Sequence, residues 1–587
     1  MTIAGEGEQS AVAGRGSRES SGWDGKVDLK SRLAQIKNQP KPLLMASVAY
    51  ELKKPFFFLP SLSGLLSSQR TTDLNFTPPD PWPGVASTGG DIMRGRLSFF
   101  GKAVEDPLPF WHPRGTSRDW QMALHGFDWL RDLRATGGDG ARRTARALVA
   151  SWIENEGQSW NRVSWKPEVL GRRLSSWLGQ YEFFAASAEL AFRQNLLRSL
   201  QRQADHLAWV LPAGLSGADV ITAIKGLILA GCCHPRGKAW RSRGLTMLAK
   251  ELPGQILTDG GHVERNPSQQ LRVLKDLVDL RAALHAAGIE PPACLQDSIE
   301  RMAPMLRLMR HGDGGLALFN GAAEEAGWQV DMVLQRCGGP KRPQTIAPEL
   351  GFQRLQAGRC LILVDCGSPP AAGHDMRAHS GSLSFEMSLG RERLIVNCGA
   401  QVSHPAWRNV QRTTAAHSTV TVGETNSSEL LPQGGLGSRR ASVTAERSED
   451  HGNLWLDLFH NGYAPLFGLR HHRRLYLAAD GTDLRGEDRL ELLSAAESEQ
   501  NFTIRFHLHP DVRAGLTQAA DSVLLQTESG DGWRMRAAGA DISLEDSVYL
   551  GDGNTPRRSQ QVVMTGHCDG PETTVKWALQ RERRQRV

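Results

Sequence analysis

The hydrophobic residues of this chain change their period once, near residue 312, which excludes any purely helical or purely β fold. Upstream, Trp120, Leu124, Phe127 and Leu130 recur at three- and four-residue steps, the spacing of one buried helical face. The same period marks 142–154. It marks Leu170, Leu174, Trp177, Leu178 and Tyr181 as well, with Pro167 suited to a first helical turn. Further helices are predicted over 192–210, 217–232, 239–250, 268–287 and 294–311, separated by Gly, Pro or polar breaks. Downstream of HGDGGLALFNGA the apolar residues alternate instead. RCLILVDCG, LSFEMSL, RLIVNCG, STVTVG, LWLDLFH, RLYLAA, NFTIRFHLHP, SVLLQTE, ISLEDSVYLG and TTVKWALQ all read as strands between Gly and Asp turns. The expected class is a multidomain α+β chain, an all-α domain followed by an antiparallel β-sandwich. Periodicity alone leaves a helical bundle and an α/α toroid both open.

A chain of 587 residues exceeds one ordinary domain. We expect a disordered tail and Pro-rich lead-in (TPPDPWPG) over 1–95, a helical domain over 96–337 and a sandwich over 348–587, joined by the Gly-Pro-rich stretch 338–347. No apolar run approaches the ~20 residues of a membrane-spanning helix. The N-terminus lacks a basic segment followed by an apolar one, so the expected compartment is the cytoplasm. Eight cysteines are too sparse for a disulfide framework, and their spacing suits no zinc finger. The net charge of +6 is mostly a solvated surface, or else a basic groove for an acidic polymer, and no nucleic-acid-binding motif accompanies it.

The densest polar chemistry lies at 377–425, RAHSGSLSFEMSLGRERLIVNCGAQVSHPAWRNVQRTTAAHSTVTVGET, with His379, His404 and His417. Leu383, Phe385, Met387 and Leu389 alternate with Ser384, Glu386 and Ser388, the period of a half-buried strand. A Gly-Arg pair leads into a second strand at 394–396, and β-branched residues mark a third at 419–422. The segment AHSGSLSFEMSLGRERLIVNCG, followed by WRN-(x)3-TTAAHSTVTVGE, resembles the signature of the heparinase II/III-like polysaccharide lyases. FHNGYAPLFGLRHHRRLYL at 459–477 resembles it too, as do HGFDWLRDL, WKPEVLGRRLSSWL and DGGHVERNPS upstream. The likeness covers about residues 95–580. It implies an incomplete (α/α) toroid packed on the sandwich, with a cleft between them for an acidic polysaccharide.

Lyase chemistry at a uronate needs a group that neutralises the carboxylate, a base for the adjacent C–H and an acid for the departing oxygen. The resemblance nominates His379 as catalytic, with Tyr463 and His460 as proton-transfer partners. Substrate-binding candidates are Arg377, Arg408, Arg412, Lys225 and Asn266, and His262, Glu264 and Arg265 are expected to line the same cleft. Each has a plainer alternative. His379 would be a hydrogen-bonded structural residue, Tyr463 packing on a strand edge, and Arg408, Arg412 and Lys225 surface charge. His507 and His509 share one strand face and read as structural. The family pattern also places His379, Asn397 and His417 where a structural zinc would sit. An amide is a poor zinc ligand, so a metal-free hydrogen-bonded network is expected and no cofactor is required. TDGGHVERNPSQQLRVL lacks the tyrosine that lyases of the family carry there. Two rivals to the lyase reading follow: a catalytically reduced carbohydrate-binding or envelope-assembly protein, and a nucleic-acid binder. Family members are often exported, which makes the periplasm the alternative compartment.

Overall fold

The structure is a computed structural model that describes residues 39–57, 73–105, 111–157, 160–339, 342–400, 405–493, 500–568 and 570–582. The tail at 1–38, the basic terminus 583–587 and His404 lie outside the described residues. The helical part comprises Arg118–Gly126, Leu130–Thr136, Gly138–Asn155, Pro167–Gly179, Leu190–Val210, Gly217–Cys233, Lys238–Gln255, Pro267–Ala286, Ala293–Leu308 and Gly327–Cys337. The region read as tail and lead-in holds two more helices, Lys41–Lys53 and Ala86–Met93. No described helix is long and apolar enough to cross a membrane.

The face read over 120–130 is split between two helices. Ser117 caps the first by accepting from the Trp120 amide at 3.1 Å, and Phe127 ends it at φ 62°. The apolar side chains keep one destination because Phe127 turns inward, stacked on Trp111 and Trp129 with Trp177 at its edge. At the centre of the layer, every residue of Gly217–Cys233 except Asp219 is buried, against Pro167–Gly179, Lys238–Gln255 and Pro267–Ala286. Its approach to Pro167–Gly179 depends on two glycines. A Cβ on Gly226 would lie 2.4 Å from the Gly171 Cα, and one on Gly171 would lie 2.4 Å from the Thr222 carbonyl oxygen. A Gly226→Val variant is therefore expected to lose about 1–3 kcal/mol through overpacking. Urea denaturation would show it, and an unchanged midpoint would contradict this packing.

Two antiparallel sheets follow. One runs in the order Arg513–Leu516, Ser522–Gln526, Gly532–Ala538, Glu572–Arg581, Asp483–Leu492, Leu469–Leu477, Asn453–His460 and Val443–Asp450. The other runs Asp541–Tyr549, Arg557–His567, Asn501–Leu508, Glu392–Val396, Phe385–Leu389, Cys360–Asp365, Phe352–Ala357 and Ile346–Ala347, with Val420–Val422 paired to Asn501–Leu508. Their inner faces share one apolar core in which Phe385 stacks on Trp577 at 5.9 Å and Phe506 meets the same indole at 4.9 Å.

The Phe385–Leu389 strand is buried on both faces, not on one as its alternation suggests. Its polar face lies under the chain that leaves the helix Ala293–Leu308. The His311 ring nitrogens sit 3.0 Å from Ser388 Oγ and 2.9 Å from Glu386 Oε2, and the Leu318 amide donates to Glu386 Oε1 at 3.1 Å. Arg265 reaches from the helices to Asp365 (2.5 Å) and the Leu350 carbonyl (2.6 Å). Arg393 reaches back from its strand to Asp313 (2.7 Å). Met305, Leu308, Phe319, Phe352 and Leu363 close an apolar cluster across the same seam. Helices and sheets thus meet through ion pairs sealed by apolar contact.

Candidate functional site

The seam gathers polar residues from both sides, beginning with Asn266. Standing before Pro267, it caps its helix by accepting from the Gln269 amide at 2.9 Å, and its Nδ2 donates to the Asn320 carbonyl at 2.6 Å. Asn320 holds φ 51°, a left-handed conformation that asparagine tolerates better than most residues. Its Nδ2 donates to the Arg265 carbonyl at 2.9 Å, and its Oδ1 accepts from the His379 amide at 3.1 Å. Two asparagines therefore fasten the start of a helix to the His379 loop.

The tautomers of His379 and His417 follow from their partners. His417 Nδ1 lies 2.7 Å from the Thr413 carbonyl, which only accepts, so that nitrogen carries the proton and Nε2 is bare. Nε2 lies 3.1 Å from His379 Nδ1, which must then be the donor. His379 is left with a bare Nε2. Burial, His417 and Arg412 hold His379 well below the usual histidine range, and burial pushes His417 down to about 4, so both rings are neutral near pH 7. Gly321 faces the bare nitrogen: a Cβ there would sit 3.2 Å from Nε2, and glycine keeps that space open.

Arg377 stands two residues before His379, with its side chain 37% exposed. It donates to Glu264 at 3.1 Å and lies 3.5 Å from Asp219, which also pairs with Arg272 at 2.8 Å. The other Glu264 oxygen accepts from the Ala218 amide at 2.9 Å, at the start of the Gly217–Cys233 helix. Two guanidinium groups and two carboxylates thus balance beside the histidine.

The remaining candidates lie elsewhere or are already engaged. Arg412 is buried and donates to the carbonyls of Ala378 (3.0 Å) and Leu431 (2.8 Å), so it holds the His379 loop in place and is not free to clamp a carboxylate. Arg408, on the helix Pro405–Gln411, is half-buried; burial first, and then the charge of Arg408, depresses the pKa of Arg412. Lys225 lies inside the helical layer, 2.8 Å from Asp276 and 2.5 Å from Asp279. Tyr463 is fully buried, and its hydroxyl donates to the Val420 carbonyl at 2.7 Å. His460 is equally buried and faces His471 at 3.2 Å, inside the sandwich. His262 is buried beside Gln255 at 3.2 Å, while His507 lies 2.8 Å from Ser547 and 3.0 Å from the Ala415 carbonyl.

The structure brings His379 and His417 together but engages Asn397 with other partners. Its Nδ2 donates to Glu386 at 3.1 Å, and its Oδ1 accepts from the Ser418 amide at 3.0 Å. Among the described residues no three His, Cys, Asp or Glu side chains group as metal ligands. The trio does not fit zinc, because it offers no anionic ligand and the facing histidine nitrogens already share a hydrogen bond. Sequence reasoning missed Asp219, Arg272, Asn320 and Gly321. The Asn-Gly pair at 320–321 is a recognisable left-handed turn signal. Asp219 and Arg272 carried none.

The buried neutral histidines have a consequence for acid stability. His417 and His262 are held to about 4 by burial, against about 6.5 when unfolded. Between those values the unfolded chain takes up protons that the folded one refuses, so stability must fall as pH drops below about 6.5. Urea midpoints should decline from about pH 7 to about pH 5, less steeply in a His417→Gln variant. A flat profile would contradict the neutral assignment.

Comparison with known proteins adds the lineage. The profile for the heparinase II/III N-terminus matches residues 106–332, and the heparinase II/III-like C-terminal profile matches 339–578. FtsZ-localized protein C of Caulobacter vibrioides is 33% identical over 533 residues, covering 87% of this chain and 90% of that protein. The heparin-sulfate lyase of Pedobacter heparinus is 22% identical, over 54% of this chain and 53% of its own length. The crystal structure of heparinase III superposes with a TM-score of 0.70 at 15% identity, covering 94% of this chain and 91% of that one.

Proposed function

This chain belongs to the heparinase II/III-like family, and from that premise we propose that it binds an acidic, uronate-containing polysaccharide at the seam and cleaves it by β-elimination. One arrangement carries the reading: a tautomer-locked, neutral His379 whose bare Nε2 faces the gap kept by Gly321, beside the half-exposed Arg377. In this scheme His379 Nε2 takes the proton α to the uronate carboxylate. The electron pair of that C–H bond forms the new C=C bond as the glycosidic C–O bond breaks. The imidazolium then returns its proton to the departing oxygen. One histidine serves as base and acid in turn, and Arg377 offsets charge on the carboxylate.

A second reading, glycan binding without turnover, is favoured by the tyrosines. The chain has five, and the hydroxyl or ring of each engages a residue other than His379. Tyr463 bonds Val420, Tyr549 bonds Glu324, Tyr181 bonds Asp73, Tyr476 bonds Asn453, and Tyr50 packs on Phe57. Incubation of the pure protein with a panel of uronate polysaccharides separates the two readings. Lyase action yields an ultraviolet-absorbing unsaturated sugar. Binding that depends on Arg377 with no such product from any polymer would replace the lyase reading with the second. The Caulobacter relative is named for localisation with FtsZ, which supports a place of action alongside FtsZ. A fluorescent fusion that ignores FtsZ rings would remove that part of the proposal.

A further inference from the structure

The sheet that runs from Arg513–Leu516 to Val443–Asp450 turns its outer face away from the sandwich core, and that face carries two aromatic pairs with a charged row between them. Strands Asn453–His460 and Leu469–Leu477 bury alternate residues, so Trp455, Asp457 and Phe459 point outward opposite Tyr476, Arg474 and His472. The Trp455 and Tyr476 ring centroids lie 4.4 Å apart, and those of Phe459 and His472 5.4 Å apart. Arg485 stands 5.9 Å over the Tyr476 ring and Arg470 5.3 Å over the Phe459 ring. A cavity of about 240 Å³ opens on this face, and its lining includes Glu446, Asp457 and Glu487 as well as His472, Arg474 and Arg489. The cations are matched by carboxylates. Arg474 pairs with Asp457, Arg489 with Glu572 at 3.3 Å, Lys576 with Glu487 at 3.6 Å, Arg470 with Glu491 at 3.6 Å and Arg485 with Asp483 at 2.7 Å.

This balance leaves no excess positive charge to hold a polyanion. The aromatic side chains are half-buried and split by the charged row, so among the described residues they form no continuous apolar patch for a protein or a lipid. A sugar ring matches both parts of the surface. Its C–H groups lie against the negative face of an aromatic ring, while its hydroxyls donate to carboxylates and accept from guanidinium groups. The two aromatic pairs stand four residues apart, about 13 Å along a strand, a length that takes several sugars to span. We propose that this face is a glycan-binding surface, separate from the seam, that holds an uncharged, extended β-1,4-linked oligosaccharide across Trp455, Tyr476 and Phe459. The near-flat ladder suits an extended ribbon and not a coiled chain. The sandwich core lies between this face and the Phe385–Leu389 strand beneath the seam, so the surface tethers the chain to a polymer and does not require turnover at His379.

The test is titration calorimetry of the full chain with cellohexaose and with chitohexaose, against maltohexaose as the coiled contrast. At least one of the first two should bind saturably, and maltohexaose about tenfold more weakly or not at all. Phe459→Ala and Trp455→Ala should each weaken binding about tenfold or more. Asp457→Asn and Arg474→Gln alter exposed side chains, so they should keep the parent Tm while weakening binding about threefold. Arg377→Ala and His379→Ala should bind as the parent does, which separates this surface from the seam. No binding of either extended oligosaccharide overturns the proposal, as does equal binding of maltohexaose. So does an affinity unchanged in Phe459→Ala and Asp457→Asn, or one lost in Arg377→Ala.

Discussion

Replacing Asp488 with alanine is expected to cost about 3–5 kcal/mol, because it leaves a buried guanidinium without its counter-charge. Asp488 sits inside the sandwich and holds Arg473 through both oxygens, at 2.7 and 3.0 Å. It also accepts from Trp577 Nε1 at 2.9 Å and lies 2.8 Å from His471 Nε2. Arg473 crosses to the other sheet, where it donates to the carbonyls of Leu383 (3.0 Å) and Ser418 (2.9 Å). Ser418 follows His417, so the loss would disturb the candidate site as well as the core. Arg473 keeps the Asp488 carboxyl far below its ordinary range. The stability it contributes is therefore present above about pH 4, the unfolded value, and is lost as pH falls below it. Urea denaturation of Asp488→Ala and Asp488→Asn measures the effect. A loss under about 1 kcal/mol in the alanine variant would mean that the network is not the brace described here.

The second large effect concerns turnover. If His379 moves the proton in both directions, His379→Ala should lower the rate on any cleaved polymer by about 10²–10⁴-fold. His379→Gln keeps a hydrogen-bonding side chain but cannot take the proton, so it should be equally impaired while unfolding like the parent. His417→Ala removes the acceptor that fixes the tautomer of His379, and a smaller loss with a shifted pH profile is expected. Tyr463→Phe removes a hydroxyl buried against Val420 and should leave the rate unchanged, with only a modest stability loss of about 1 kcal/mol. Full turnover in His379→Ala would sink the assignment of the site. A rate collapse in folded Tyr463→Phe would mean that the seam opens far more than the structure shows.

The helical-to-alternating switch by itself determined that helices precede sheets, because period 3.6 and period 2 are local properties of the chain. Local pattern also placed Pro167 at a helix start and the ends of Leu190–Val210, Gly217–Cys233 and Pro267–Ala286 within two residues, but misplaced one end each of Gly138–Asn155, Lys238–Gln255 and Ala293–Leu308 by three to five residues. The motif around AHSG pointed to the family and to His379 without any contact being known. What only the tertiary structure decided was which polar residues face each other. Tyr463 and His460 stand close to one another in a matching segment, yet strand pairing carries both into a closed core. Arg412 resembles Arg377 in sequence but is spent on backbone carbonyls, whereas Arg377 reaches the seam. Asp219, Asn320 and Arg272 converge on the site, or on its ion pairs, from positions about 50 to 160 residues away from Arg377. Side-chain meetings across such separations depend on helix crossings and strand register, which no local period encodes.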